Sequence, residues 1–167
     1  QNGFITKVDA GGQQVWTQHL GAGGQYNIGL DVASGGNGTV VEAGYTNGNN
    51  GYLHTFVSAV DSNGNALWTT QTNTNSFYEI ATGVAVAADG SVYAGGYSYN
   101  SNWNGADGFI TKLDAGGHEL WTQHVNAGGQ NTIAQDIAVG SNGTVVEVGY
   151  TNGSNSNPHT FVSAVDS

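Results

Sequence analysis

Short, largely apolar runs recur along this chain, each bounded by polar stretches of glycine and asparagine. Residues 28–34, 80–86 and 133–139 form one set of such runs. Residues 39–46, 91–98 and 144–151 form a second, with Val40, Val92 and Val145 in register. Residues 4–9, 56–61, 109–114 and 161–166 form a third, and residues 14–19, 66–71 and 119–124 a fourth. The runs are four to eight residues long and rich in β-branched and aromatic residues, which predicts short strands. No window carries a helical period with caps, so the pattern predicts almost no helix.

The spacing is regular. Phe4, Phe56, Phe109 and Phe161 stand 52, 53 and 52 positions apart, and Trp16, Trp68 and Trp121 repeat the first two intervals, as do Tyr45, Tyr97 and Tyr150. The repeats cover residues 3–54, 55–107 and 108–159, with a partial copy at 160–167. Between the first and second sets lie Asn37-Gly38, Asp89-Gly90 and Asn142-Gly143; between the third and fourth lie Gly11-Gly12, Asn63-Gly64 and Gly116-Gly117. Such pairs supply the positive backbone dihedrals of tight hairpins. Four antiparallel strands joined in order, at a period near fifty, predict an all-β chain of β-propeller blades. About three blades are present: two complete (28–71 and 80–124), one of three strands (133–166) and a separate hairpin (4–19).

The segments Gly149-Tyr150-Thr151, Phe109-Ile110-Thr111-Lys112-Leu113-Asp114 and Leu120-Trp121 carry a further signal. Their order resembles the bacterial β-propeller repeat family of SBBP type, at about 52 residues per blade. Gly44-Tyr45-Thr46 repeats the first segment, and Gly96-Tyr97-Ser98 is close to it. Ala59 and Ala164 replace the family's usual lysine. The resemblance covers the whole chain and implies the fold; the family has no shared active site, so it implies no activity.

The first and third repeats match each other better than either matches the second. Lys7 and Lys112 alternate with Ala59 and Ala164, Asp31 and Asp136 with Gly83, Glu42 and Glu147 with Ala94, and His19 and His124 with Gln71. The larger unit is therefore two blades, 105 residues from Phe4 to Phe109, and a ring built from it has an even number of blades. The family's name implies seven.

Composition narrows the function. Net charge is −10 and Lys7 and Lys112 are the only cationic side chains apart from histidine, so a phosphate-backbone grip is excluded and nucleic acid is not an expected partner. No apolar run approaches the length of a helical membrane span, so membrane insertion is not expected either. There is no cysteine, which excludes disulfides and thiolate chemistry. The absence of cysteine does not fix the compartment, and the resemblance implies a secreted or cell-surface bacterial protein.

The long links between blade elements carry the candidate ligand-binding residues Tyr26, Tyr52, His54, Tyr78, Tyr99, Trp103, Asp107 and His159. Aromatic rings among amides suit sugars, because rings stack on C–H faces while amides bond hydroxyls. The same residues also serve as loop formers and edge covers. Calcium would need clustered oxygen ligands; no EF-hand loop occurs, and Asp9, Asp61, Asp114 and Asp166 stand where turn-capping aspartates belong. The five histidines form no zinc motif, and no nucleophile elbow, paired-carboxylate motif or phosphate loop is present. No cofactor and no catalytic residue is expected. The sequence points first to a non-enzymatic extracellular scaffold or binding module. A lectin-like propeller that binds carbohydrate is the alternative, and a hydrolase or lyase domain the distant third.

Three blades cannot close a ring, and an open arc exposes apolar faces. The expected partners are therefore further propeller repeats or a second copy of the chain. In the latter case one copy's hairpin would supply the missing outer strand of the other's third blade, displacing a duplicate strand. The repeating tryptophans, with Phe56, Phe109 and the tyrosines Tyr45, Tyr97 and Tyr150, are expected to be largely buried between blades.

Overall fold

The structure, a computed structural model, describes residues 3–48, 51–72, 76–99, 105–152 and 157–166. These residues form 13 strands and no helix. In chain order they are β1 (Gly3–Val8), β2 (Gln14–Leu20), β3 (Asn27–Ser34), β4 (Val40–Asn47), β5 (Leu53–Val60), β6 (Ala66–Gln71), β7 (Tyr78–Val86), β8 (Val92–Tyr99), β9 (Ala106–Leu113), β10 (Glu119–Val125), β11 (Asn131–Val139), β12 (Val145–Asn152) and β13 (Pro158–Val165). The order of strands within each sheet follows the chain. β3 to β6 make one antiparallel meander, β7 to β10 a second and β11 to β13 a third, while β1 and β2 pair alone. A single parallel bridge, Leu53 to Tyr78, joins the first two meanders. These meanders are called units one, two and three below.

Local chemistry sets the hairpins. In the turn after β5, the Asp61 carboxylate accepts the Asn63 and Asn65 amides, and Gly64 takes φ +85° to close the loop. Its bond from the Asn65 side chain, together with these amides, holds that carboxyl below its ordinary range. Asp9 and Asp114 repeat the geometry. Each of the pairs β3–β4, β7–β8 and β11–β12 breaks register once, at the equivalent places Gly29/Asp31, Ala81/Gly83 and Ala134/Asp136.

The units pack face to face, and the cores lie between them. Val41, Ala43, Val57 and Ala59 of unit one meet Ala81, Val84, Val92, Ala94, Phe109 and Leu113 of unit two. Ala85, Tyr93 and Ile110 of unit two meet Ile137 and Val145 of unit three. Ile5 and Leu20 of the hairpin meet Val60 of unit one. At the hairpin's start, Gly3 lies close to Gly29 of β3 and Glu42 of β4. Beside it lies a recess of about 360 Å³ whose lining includes Phe4, Ile5, Trp16, Leu30, Val32 and Glu42.

Phe56 and Phe109 are fully buried. The tryptophans and Tyr45, Tyr97 and Tyr150 are half-buried instead of enclosed, because each sits at a rim of a joint. The tryptophans act as clasps. Trp16 in β2 lies over the turn of unit one and donates from Nε1 to the Ser62 carbonyl at 3.2 Å; Trp68 in β6 does the same over the turn of unit two, to Ala115 at 3.1 Å. The turn glycines must be glycines: a Cβ on Gly64 would lie 2.7 Å from Trp16 Cδ2, and one on Gly117 2.5 Å from Trp68 Cδ2. Trp121 packs against Tyr93 at a centroid distance of 6.1 Å, with no such turn beneath it among the described residues.

Two buried carboxyls have oxygens without a hydrogen-bond partner among the described residues. Glu147 of unit three is fully buried opposite Gly95 and Gly108, and neither of its oxygens has a hydrogen-bond partner among the described residues. Burial pushes its carboxyl up to about 8; the Gly96 amide draws it back slightly without forming a bond of good geometry. Glu42, its equivalent in unit one, is 2% exposed and is pushed by burial up to about 7.

Two outcomes follow from this packing. Truncating Phe109 to alanine is expected to cost about 3–5 kcal/mol, and Trp68, half-buried, about 2 kcal/mol. Trp121, without a turn to clasp, should cost less than Trp68; urea denaturation gives the order. The second outcome concerns pH. The folded-state pKa of both glutamates lies above the ordinary 4.5, so folding retains their protons. Their stabilising contribution is complete below pH 4.5 and is lost as pH rises through about 7 and about 8. The melting temperature should fall across that window, and Glu147→Gln should remove the larger part of the fall.

Candidate functional site

The meander order gives the packed units two unlike ends. One carries the short turns that close each hairpin. The other carries the long links, from β2 to β3, β4 to β5 and so on, and strands begin or end there with tyrosine and asparagine.

At the long-link end the aromatic residues make edge-to-face pairs. Tyr52 meets Phe77 at 4.4 Å between centroids and Tyr78 at 6.3 Å. Tyr26 meets Tyr45 at 6.3 Å, and Tyr97 meets Tyr99 at 6.0 Å. Burial raises the Tyr97 phenol above its ordinary 10.0, helped by neighbouring Tyr99, Tyr150 and Tyr45. Phenols from all three units therefore converge on this end, each half-buried.

At the same end lies a recess of about 380 Å³, lined by Ala22, Gly23, Gly24, Asn47, Gly48, His54 and Gln71. Three elements build it. The β2–β3 link enters over Gly24, where a side chain would strike the Asn47 carbonyl. Asn47 at the end of β4 holds that link: its Oδ1 accepts the Tyr26 amide at 2.9 Å, and the Tyr26 carbonyl accepts from Thr46 Oγ1 at 3.2 Å. The Tyr52 carbonyl accepts the Gly48 amide at 2.8 Å and closes the β4–β5 link. His54 is half-buried in β5, one strand in from Gln71 in β6. The lining offers amide, imidazole and glycine backbone groups and no carboxylate or lysine. It is suited to a neutral ligand rich in hydroxyls.

The structure places the sequence-derived candidates as follows. Of these, His54 alone lines the recess; Tyr52 and Tyr78 belong to the aromatic group with Phe77, and Tyr26 lies on the link that enters over Gly24. Tyr78 and Tyr99 were expected in loops; they are the paired end residues of β7 and β8. Asp107, also expected in a loop, lies in β9, and its Oδ1 accepts from Asn126 Nδ2 at 2.9 Å, tying down the β10–β11 link. His159 is the counterpart of His54 in β13, but it is exposed, with no outer strand beside it among the described residues. Trp103 lies outside the described residues. Sequence reasoning passed over Asn47 and Gln71; the recurrence of Gly24 as Gly129, pressed against Thr151 and Asn152, was the signal that this link approaches β4 closely.

The opposite end has a smaller recess, about 250 Å³, between units two and three, where Asp89 and Lys112 meet the 140–143 turn. Lys112 Nζ stands 5.3 Å from the Tyr93 ring centre and helps to hold the Asp89 carboxyl below its ordinary range, chiefly set by the Ser91 amide. Among the described residues, no three histidines, aspartates or glutamates come together as a metal site.

No model of a known protein family matches the chain, and no curated protein is similar to it in sequence. Among solved structures, it is similar to a fucose lectin from Kordia zhangzhouensis in complex with methyl-fucoside, at 13% identity over 80% of this chain and 90% of that one, with a TM-score of 0.49. A likeness of that degree carries no argument about this chain.

Proposed function

We propose that the chain is an arc of a bacterial β-propeller of the SBBP-like repeat type, and that it binds neutral carbohydrate at its long-link end without chemical turnover. Successive four-stranded meanders, packed face to face with equivalent residues in equivalent places, support the propeller reading. The observation that carries the binding reading is the recess lined by Asn47, His54 and Gln71, at the same long-link end as the Tyr52–Phe77 pair. Amide and imidazole groups give and accept hydrogen bonds to hydroxyls, and the half-buried rings offer apolar faces to C–H groups. The same composition that excludes nucleic acid leaves a polyol as the natural ligand. A secreted or cell-surface location goes with this role. The scaffold role is what would be left if the recess took no ligand.

Screening against an array of neutral oligosaccharides, followed by calorimetry, tests the reading. A bound glycan should lose about tenfold in affinity on Gln71→Ala or His54→Ala, the cost of about one hydrogen bond each. Tyr52→Phe should retain binding and Tyr52→Ala weaken it, with the melting temperature recorded for each. Absence of binding to every neutral glycan at millimolar concentration, or affinity indifferent to all of these substitutions, would refute the proposal.

A further inference from the structure

We infer that this protein assembles head to tail with a second copy of itself, the β1–β2 hairpin of one copy seating on the open face of unit three in the other. The inference stands apart from carbohydrate binding.

The open face is marked by what its equivalents do. Val148 and Val162 are 42% and 70% exposed, whereas Ala43 and Val57, 105 positions earlier, are fully buried in the joint between units one and two. The face of unit three thus repeats a face that elsewhere in the chain is an interior one. The hairpin shows the converse. Phe4 and Val8 are 62% and 57% exposed, whereas Phe109 and Leu113, again 105 positions on, are fully buried.

Those two buried pairs meet each other: Phe109 and Leu113 pack on Val57 and Ala59 in one core. The β1–β2 hairpin carries almost the same text as β9–β10, from Gly-Phe-Ile-Thr-Lys to Trp-Thr-Gln-His. The interior joint is therefore a template. Phe4 and Val8 of one copy would lie on Val162 and Ala164 of the other, as Phe109 and Leu113 lie on Val57 and Ala59. Each copy bears both patches, so the contact is heterologous and closes a ring or extends.

Stacking also replaces the strand exchange expected from the sequence. All eight residues of β13 are paired with β12, and Val165 packs against the core between units two and three. Displacing β13 would break that register, whereas its outward face is free to be covered. Both patches are apolar and the copies carry −10 each, so salt should favour association by screening their repulsion.

Sedimentation and light scattering over a range of concentration and salt test this. The wild-type chain, 17.1 kDa, should reach at least twice that mass at about 100 µM, more readily in higher salt. Val162→Glu and Phe4→Glu alter exposed side chains, so circular dichroism should show an unchanged fold. Each variant alone should be monomeric, and the two mixed should form a one-to-one complex, since each keeps the patch that the other has lost. Val148→Lys and Val8→Lys form a second such pair. A wild-type monomer at that concentration, association that either single variant leaves intact, or a mixture no heavier than its parts would overturn the inference.

Discussion

The whole arrangement depends on sheets that are apolar on both faces. A four-stranded meander with Val41, Ala43, Val57 and Ala59 on one face and Phe56 and Val60 on the other cannot stand alone in water. It must be covered twice, so neighbours stack in series and the core becomes a set of thin layers. Stability is then carried by nearest neighbours, as in other repeat proteins. The exposed valines of unit three and the exposed phenylalanine of the hairpin are the same constraint seen at the two ends of the stack.

Two devices fix how one unit sits on the next, the first where the hairpin meets unit one and where unit one meets unit two. Tryptophan at the outer rim reaches over the neighbouring hairpin turn, where positive-φ glycine leaves room for the ring and a turn carbonyl receives the indole N–H. Deeper in, alternation between repeats has a physical reading. Gly95 and Gly108 of unit two make the space that Glu147 of unit three fills, and Asp31 of unit one reaches across to accept the Val84 amide. Odd and even units are thus complementary, and the two-unit period of the sequence is a period of joints. The cost is a carboxyl held without a hydrogen-bond partner, which stays protonated at neutral pH.

These joints also set the candidate site. Because every unit presents its long links at one end, residues spread widely along the chain gather there. Tyr52 of one link meets Tyr78 at the start of the next unit, and the recess draws Ala22, Gly23, Gly24, Asn47, Gly48, His54 and Gln71 from separate elements. The recess forms where the link leaving one unit crosses the strand ends of the next, so it depends on stacking as much as on the loops.

How much of this was legible beforehand differs by level. Short β-branched and aromatic runs and hairpin glycines determined the strands and their antiparallel order, because strand formation and tight turns depend on neighbours in sequence. The register of Phe4, Phe56, Phe109 and Phe161 fixed which strands are equivalent. What the sequence could not determine was depth. Phe109 and Phe4 sit in the same text, but one is fully buried and the other 62% exposed, since burial depends on whether a neighbour covers that face. For the same reason Tyr78, Tyr99 and Asp107 read as loop residues: strand ends extend as far as a partner strand continues to pair. Asn47 and Gln71 carried no signal of their own, because a recess between elements is a property of their packing. The sequence determined the strands, their turns and their repeat; tertiary structure alone decided which faces are covered and where a ligand-sized space is left, because both are set by contacts between residues far apart in the chain.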